Sequence, residues 1–234
     1  MLKPKKKITK KEIKQDGLVT AYAEATSFYY EHKKHISYVV TALVVMIVAV
    51  VIYINNRRAN NEKAAVELGK VYSIIDAAAS DSRQFKIAID GQPERGIMGL
   101  KSIVENYGGT ESGELARFYL ANAYFNIGLY DEALKQYEEF STDNELLHAS
   151  TLAGIGRCYE AKKEYSTAAT YLEKAANAIS NSSVTPEYLS SAARCYALAG
   201  DKEKAITLYK RIKKEYSTSK YGRDADRYIG QFST

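Results

Sequence analysis

Three stretches of this chain repeat one sparse pattern: LANAYFNIGLYDEALKQYEEF over 120–140, IGRCYEAKKEYSTAATYLEKA over 155–175 and AARCYALAGDKEKAITLYKRI over 192–212. Tyr124, Tyr159 and Tyr196 are equivalent, 35 and 37 residues apart. Ala133, Ala168 and Ala205 recur at the same intervals, as do Tyr137, Leu172 and Tyr209. A small residue (Ala121, Gly156 or Ala193) stands three places before each first Tyr. A period of this length marks stacked supersecondary units, none of which can bury its own apolar face alone. The spacing fits a pair of antiparallel helices. The small residue lets the second helix come close to the first, and the Tyr fills the groove beside it. The later Ala sits at the crossing, where a larger side chain would force the helices apart. Gly128 and Gly200 supply the turn between paired helices, and Lys163 stands at that place in the middle repeat.

This pattern resembles the tetratricopeptide repeat, because several positions and the period recur together. It predicts an all-α chain whose residues 55–234 form one α-solenoid, with repeats at about 114–147, 149–182 and 186–216. Pro186 would open a helix running to Leu198. A degenerate repeat is expected over 62–108, announced by Leu68-Gly69-x-x-Tyr72. Its second helix is expected at about Pro93 to Tyr107, with Gly96, Leu100 and Ile103 as packing positions. Residues 80–92 would be an insertion, a loop or a short extra element. Residues 217–232 read as a capping helix, with Tyr221, Ala225, Tyr228 and Phe232 closing the exposed core.

Ile36 to Ile54 (ISYVVTALVVMIVAVVIYI) carries no charge. As a helix rising 1.5 Å per residue, it is about long enough for a bilayer core of roughly 30 Å. Tyr38 and Tyr53 lie near its ends, where amphipathic rings favour the headgroup level. A cleaved signal peptide would lie nearer the terminus and end in small residues, so a retained single transmembrane helix over 36–54 is expected. No helix breaker lies between Asn55 and Leu68, so the anchor is expected to run directly into the first repeat.

Charge divides across this run. Residues 1–35 hold nine Lys and no Arg against Glu12, Asp16, Glu24 and Glu31, while Arg57, Arg58, Lys63 and Lys70 follow the span. The bias predicts a cytoplasmic N-terminus and an exported domain. Since 1–35 account for the whole net charge of +5, residues 55–234 are neutral. A nucleic-acid partner is therefore not expected, because its basic excess would sit on the folded module. Met1 to Lys14 is too polar to fold and is expected to be disordered. Residues 16–31, with Leu18, Tyr22, Ala25 and Tyr29 at helical spacing, read as a short amphipathic helix on the inner membrane face.

Catalytic constellations are scarce. The chain has no HExxH, CxxC, phosphate-cradling Gly-rich loop or nucleophile elbow, so no enzyme activity, metal or cofactor is expected. Cys158 and Cys195 occupy equivalent places in consecutive repeats. Stacked helices lie about 10 Å apart, farther than the roughly 7 Å a disulfide spans. Both are read as small buried side chains, with a disulfide as the alternative.

Resemblance to the repeat family implies a concave surface built by the first helix of each pair. There it places Phe118, Asn122, Phe125 and Asn126, then Arg157, then Arg194 and Leu198. Asn122, Arg157 and Arg194 stand at matching positions, so their donors would line one groove able to hold a peptide's carbonyls or carboxylate. Phe118 and Phe125 would take its apolar side chains.

The layout as a whole is similar to that of the YfgM-like proteins, ancillary subunits of the SecYEG translocon, in a Bacteroidetes/Chlorobi-type version. GTESGELARFYLANAYFNIGLYDEAL (109–134), VTPEYL (184–189) and KAITLYKRIKKEYSTSKYGRDADRYI (204–229) carry the resemblance. It implies an inner-membrane scaffold whose periplasmic repeats meet Sec translocon subunits, periplasmic chaperones or emerging clients. The alternative is a structural or assembly subunit of another envelope complex, in cell division or outer-membrane biogenesis.

Overall fold

The computed structural model describes residues 10–77 and 81–233, with side chains described from Gly17 onward. Most of the Lys-rich arm expected to be disordered (residues 1–9) lies outside the described residues, as do residues 78–80, the last of which begins the expected insertion. The chain divides into two compact units, Met1–Asn56 and Arg57–Thr234.

Helix α1 spans Lys10–Ala77. Residues 16–31 therefore do not form a short helix of their own, and Lys10 to Lys14 are helical rather than disordered. No proline or turn-forming glycine separates Glu31 from the apolar run, so helix formation propagates through both. Within the first unit the apolar side chains are bare. Leu43, Val44, Ile47 and Val51 each leave at least half of their surface exposed. The helix is long and apolar enough to cross a membrane.

In the second unit, the end of α1 buries Ala64, Leu68 and Val71. They pack with Ala88 and Ile89 of α2 (Arg83–Asp90), Leu100 and Ile103 of α3 (Leu100–Tyr107), and Ala116 and Leu120 of α4 (Glu111–Asn126). The insertion is thus a helix, followed by a two-stranded antiparallel turn. Gly91 of β1 (Gly91–Gln92) pairs with Met98 of β2 (Ile97–Met98). The expected helix from Pro93 begins only at Leu100. Pro93 to Arg95 form a single 3-10 turn, and Gly96 is not a packing position: it takes φ 66° to reverse the chain into β2.

Three helix pairs follow: α4 with α5 (Tyr130–Glu139), α6 (Glu145–Ala161) with α7 (Tyr165–Ala178), and α8 (Thr185–Leu198) with α9 (Lys202–Glu215). Helix α10 (Lys220–Phe232) closes the series. Ala121, Ala133, Ala168, Ala193 and Ala205 are fully buried. A β-carbon on Gly156 would stand 2.7 Å from Cγ of Leu172 and 3.1 Å from the Ala168 carbonyl oxygen, so the crossing of α6 and α7 needs the glycine. The turns between paired helices share a left-handed residue: Gly128 (φ 82°), Lys163 (φ 64°) and Gly200 (φ 91°). Side chains of Thr110, Asn144, Asp201 and Ser219 accept from backbone N–H groups three residues on, capping α4, α6, α9 and α10.

Leu172, Leu189, Tyr209 and Ile212 are buried almost completely in one cluster spanning α7 to α9. At about 1.5–3 kcal/mol for each such side chain, against about 1 kcal/mol for a cap, burial dominates what holds the C-terminal pairs. Helix α10 joins that cluster through Tyr221, Tyr228, Ile229 and Phe232.

The junction of α9 with α10 repeats that of α3 with α4. Tyr107, Thr110, Gly113 and Ala116 correspond at one constant offset to Tyr216, Ser219, Gly222 and Ala225. The Thr110 hydroxyl donates to the Tyr107 carbonyl at 2.8 Å, and that of Ser219 to the Tyr216 carbonyl at 2.7 Å. Helix α10 is built as a first helix of the repeat. Its outer side carries Arg223, Asp226 and Arg227, which solvate the end of the stack.

Candidate protein-binding groove

The first helices of the pairs carry matching side chains at regular intervals. Asn122 on α4, Arg157 on α6 and Arg194 on α8 are 35 and 37 residues apart, and Gln231 on α10 continues the series after another 37. A parallel series sits three places earlier: Tyr119, Gly154, Ser191 and Tyr228. Large rings thus flank two small residues. Where the small ones lie, the surface sinks into a cavity of about 430 Å³ lined by Phe118, Asn122, Gly154, Arg157, Ser191 and Arg194 among others. A second cavity, about 470 Å³, lies between α8 and α10 and contains Leu198, Tyr209, Tyr221, Tyr228, Gln231 and Phe232. Ser191 and Arg194 border both, so the two cavities adjoin along α8.

The structure brings Phe118, Asn122, Arg157 and Arg194 into the first cavity, and Arg194 with Leu198 into the second. Phe125 and Asn126 line neither. The Phe125 ring lies beneath the Arg157 guanidinium, 4.9 Å from its centroid, with Tyr130 at 5.6 Å. Asn126 turns back on its own helix and donates to the Asn122 carbonyl at 2.7 Å.

The polar side chains of the groove are not equally available. Asn122 donates to the Phe118 carbonyl at 2.9 Å, and its Oδ1 accepts from the Tyr137 hydroxyl at 2.8 Å. Burial pushes the Tyr137 phenol well above its ordinary range, so that hydroxyl stays a donor. Arg194 is held by both carboxylate oxygens of Glu160 on α6, the Nη2 bond measuring 3.1 Å. Burial works against the Arg194 charge, but the Glu160 contact outweighs it and the guanidinium's pKa is raised. Arg157 has no carboxylate partner among the described residues. Its contact is the Phe125 ring, which covers one face of the guanidinium and leaves its edges free to donate.

Ser150 and Tyr188 approach through their hydroxyls at 3.3 Å on the wall of the first cavity. Cys158 and Cys195 are buried in the core as free thiols, and burial pushes both up to about 12. Among the described residues, no three His, Cys, Asp or Glu side chains cluster closely enough to hold a metal ion. The arrangement suits recognition: mixed hydrogen-bonding groups on a shaped floor, with one unpaired cation and an aromatic end.

Glu160 and Gln231 escaped the sequence reading. Gln231 could have been found by extending the 37-residue interval past the last complete pair. Glu160 has no such signal, because its role comes from the neighbouring helix.

Residues 118–184 match one tetratricopeptide-repeat family model, and residues 189–219 match a second. No curated protein matches the chain. Among solved structures, it is similar to nearly identical TPR-like repeats from a Podosopora anserina protein described as a kinesin light chain. The identity is 16% and the TM-score 0.50, with 75% of this chain and 84% of that one covered. At that identity the likeness bears on the fold alone. The three helix pairs from α4 to α9 are tetratricopeptide repeats stacked as an α-solenoid.

Proposed function

We propose that this protein is a non-enzymatic, membrane-anchored scaffold that binds other proteins through the groove on its first helices. One observation carries the reading: Gly154 and Ser191 interrupt a series that elsewhere holds tyrosine, opening a floor beneath Asn122, Arg157 and Arg194. Tetratricopeptide repeats serve protein–protein interaction, and a floor of this kind gives a partner chain somewhere to lie. Refilling it tests the idea. Ser191→Tyr copies the residue that α10 already carries at this place, so the fold should tolerate it while partner capture is lost. Capture that persists in a folded Ser191→Tyr protein sinks the groove.

Anchoring through residues 36–54, with a cytoplasmic N-terminus and periplasmic repeats, is supported by the exposed apolar side chains and by the lysine bias before the span. In that setting we assign the protein to export, beside the Sec translocon and periplasmic chaperones, as its likeness to the YfgM-like layout suggests. Proteolysis of intact spheroplasts should digest the repeats and spare the N-terminal arm. A protected repeat unit would move the groove into the cytosol. Purification in mild detergent should bring down translocon subunits or periplasmic folding factors. Recovery of cell-division or outer-membrane assembly proteins instead would redirect the assignment.

A further inference from the structure

We infer that the groove takes an extended peptide held at two points: an acidic side chain on Arg157, and a bulky apolar side chain in the aromatic cavity between α8 and α10. The inference rests on the groove being the partner-binding surface and adds what the partner must carry.

Charge supplies the first anchor. Four charged residues line the first cavity: Arg157, Glu160, Glu187 and Arg194. Glu160 and Arg194 neutralise one another. Arg157 is stacked on Phe125 and has no ion pair among the described residues, so its edge donors face a ligand unspent. A carboxylate meets such an edge with two parallel hydrogen bonds, a geometry no neutral side chain matches as strongly. Glu187 lies in the first turn of α8, where the helix N-terminus favours its charge. It repels a second acid from that wall and so confines the ligand's negative charge to the α6 side.

Apolar surface supplies the second anchor. Leu198 is 53% exposed on α8, and the cavity beside it is walled by Tyr209, Tyr221, Tyr228 and Phe232. Water against these four rings and Leu198 is displaced favourably by an aromatic or branched side chain, while Ser190 and Gln231 keep the rest of the rim polar.

The two anchors set a spacing. Neighbouring helices lie about 8–10 Å apart, so α6 is roughly 12–15 Å from the midpoint between α8 and α10. An extended chain advances about 3.4 Å per residue, which places the two ligand side chains about four residues apart. Ser191 and Arg194, common to both cavities, form the saddle that the intervening residues cross.

A random 12-residue peptide library displayed on phage, panned against the full-length protein in detergent, tests this directly. Enriched peptides should share Asp or Glu about four residues from Phe, Tyr, Trp, Leu or Met. A synthetic peptide from that set should bind at least tenfold more weakly to Arg157→Glu and to Leu198→Asp. Exchanging its acid for Lys should restore binding to Arg157→Glu, a rescue that a merely structural arginine would not show. Enriched peptides that lack the pair, or that ignore both substitutions yet are blocked by Ser191→Tyr, overturn the inference and leave the groove standing. Should no peptide be enriched, or should binding survive Ser191→Tyr, the groove reading falls and this inference with it.

Discussion

A β-carbon on Gly154 would stand 2.4 Å from Cζ of Tyr137 and 2.8 Å from both flanking ring carbons. The tyrosine belongs to the second helix of one repeat and the glycine to the first helix of the next, so this contact is the seam between them. The same ring places its hydroxyl on Asn122, so seam and groove wall share one side chain. Gly154→Ala must push a buried ring (Tyr137 is 3% exposed) out of its seat. The expected cost is about 1–3 kcal/mol, seen as a lower urea midpoint. An unchanged midpoint would mean that the ring swings aside freely.

Lys163 holds the left-handed conformation that Gly128 and Gly200 occupy in the other two pairs. That conformation is costly for a side chain bearing Cβ, although glycine loses more entropy on folding. Lys163→Gly should therefore stabilise the protein by about 1 kcal/mol, raising Tm by a few degrees in calorimetry. The Lys163 backbone N–H already donates to the Glu160 carbonyl at 2.9 Å, and the exchange leaves that bond in place.

Cys158 and Cys195 are fully buried, and burial pushes both thiols up to about 12 from an ordinary value near 9.0. Above pH 9 the unfolded chain releases these protons while the folded one retains them. Stability should then fall as pH rises from 9 towards 12, the direction in which the buried phenols of Tyr137 and Tyr209 also act. Thermal melts between pH 7 and 11 read this slope. At pH 8 neither thiol should react with a maleimide until denaturant is added.

The Glu160–Arg194 pair links neighbouring first helices at the surface, with side-chain exposures of 20% and 53%. Pairs of this kind contribute little, so Glu160→Gln should change stability by under about 1 kcal/mol. Its larger effect is electrostatic: the first cavity would then hold two unpaired guanidinium groups. Affinity for an acidic peptide should rise, and its salt dependence should steepen, as measured by fluorescence anisotropy across ionic strengths.

Val45 and Val48 lie mid-way along the apolar run and are more than half exposed. Arginine at both would cost roughly 2.5–3.5 kcal/mol apiece at the centre of a membrane helix. The doubly substituted protein should leave the carbonate-resistant membrane fraction, in which the unaltered chain is expected to remain.

The paired helices could be read from the sequence because their packing uses residues with unmistakable sizes. Ala121, Gly156 and Ala193 recur for one steric reason, and the rings three places on recur for another. The groove was only partly readable. Asn122, Arg157 and Arg194 follow from the same period, but the state of each depends on neighbours that the period does not specify. Glu160 neutralises Arg194 from the adjacent repeat, and Phe125 supports Arg157 instead of lining the cavity. Gln231 was hidden because the place matching Tyr124, Tyr159 and Tyr196 is Ser233 in this segment, so the repeat's tyrosine does not recur to align it. The segment from Arg83 to Met98 matches no repeat position. Its helix and two-stranded turn depend on contacts with α3 and α4 that no local pattern encodes.

Because the junction of α9 with α10 makes the same contacts as that of α3 with α4, with Ser219 in the place of Thr110, the boundary behind the third pair matches the one before the first. Everything between these two joints behaves as a cassette. A copy of α4 to α9, spliced between α9 and α10, would meet at each end a joint already shaped for it. Groove length in this protein is then a matter of counting modules, and groove depth a matter of choosing one side chain, tyrosine or something smaller, in each.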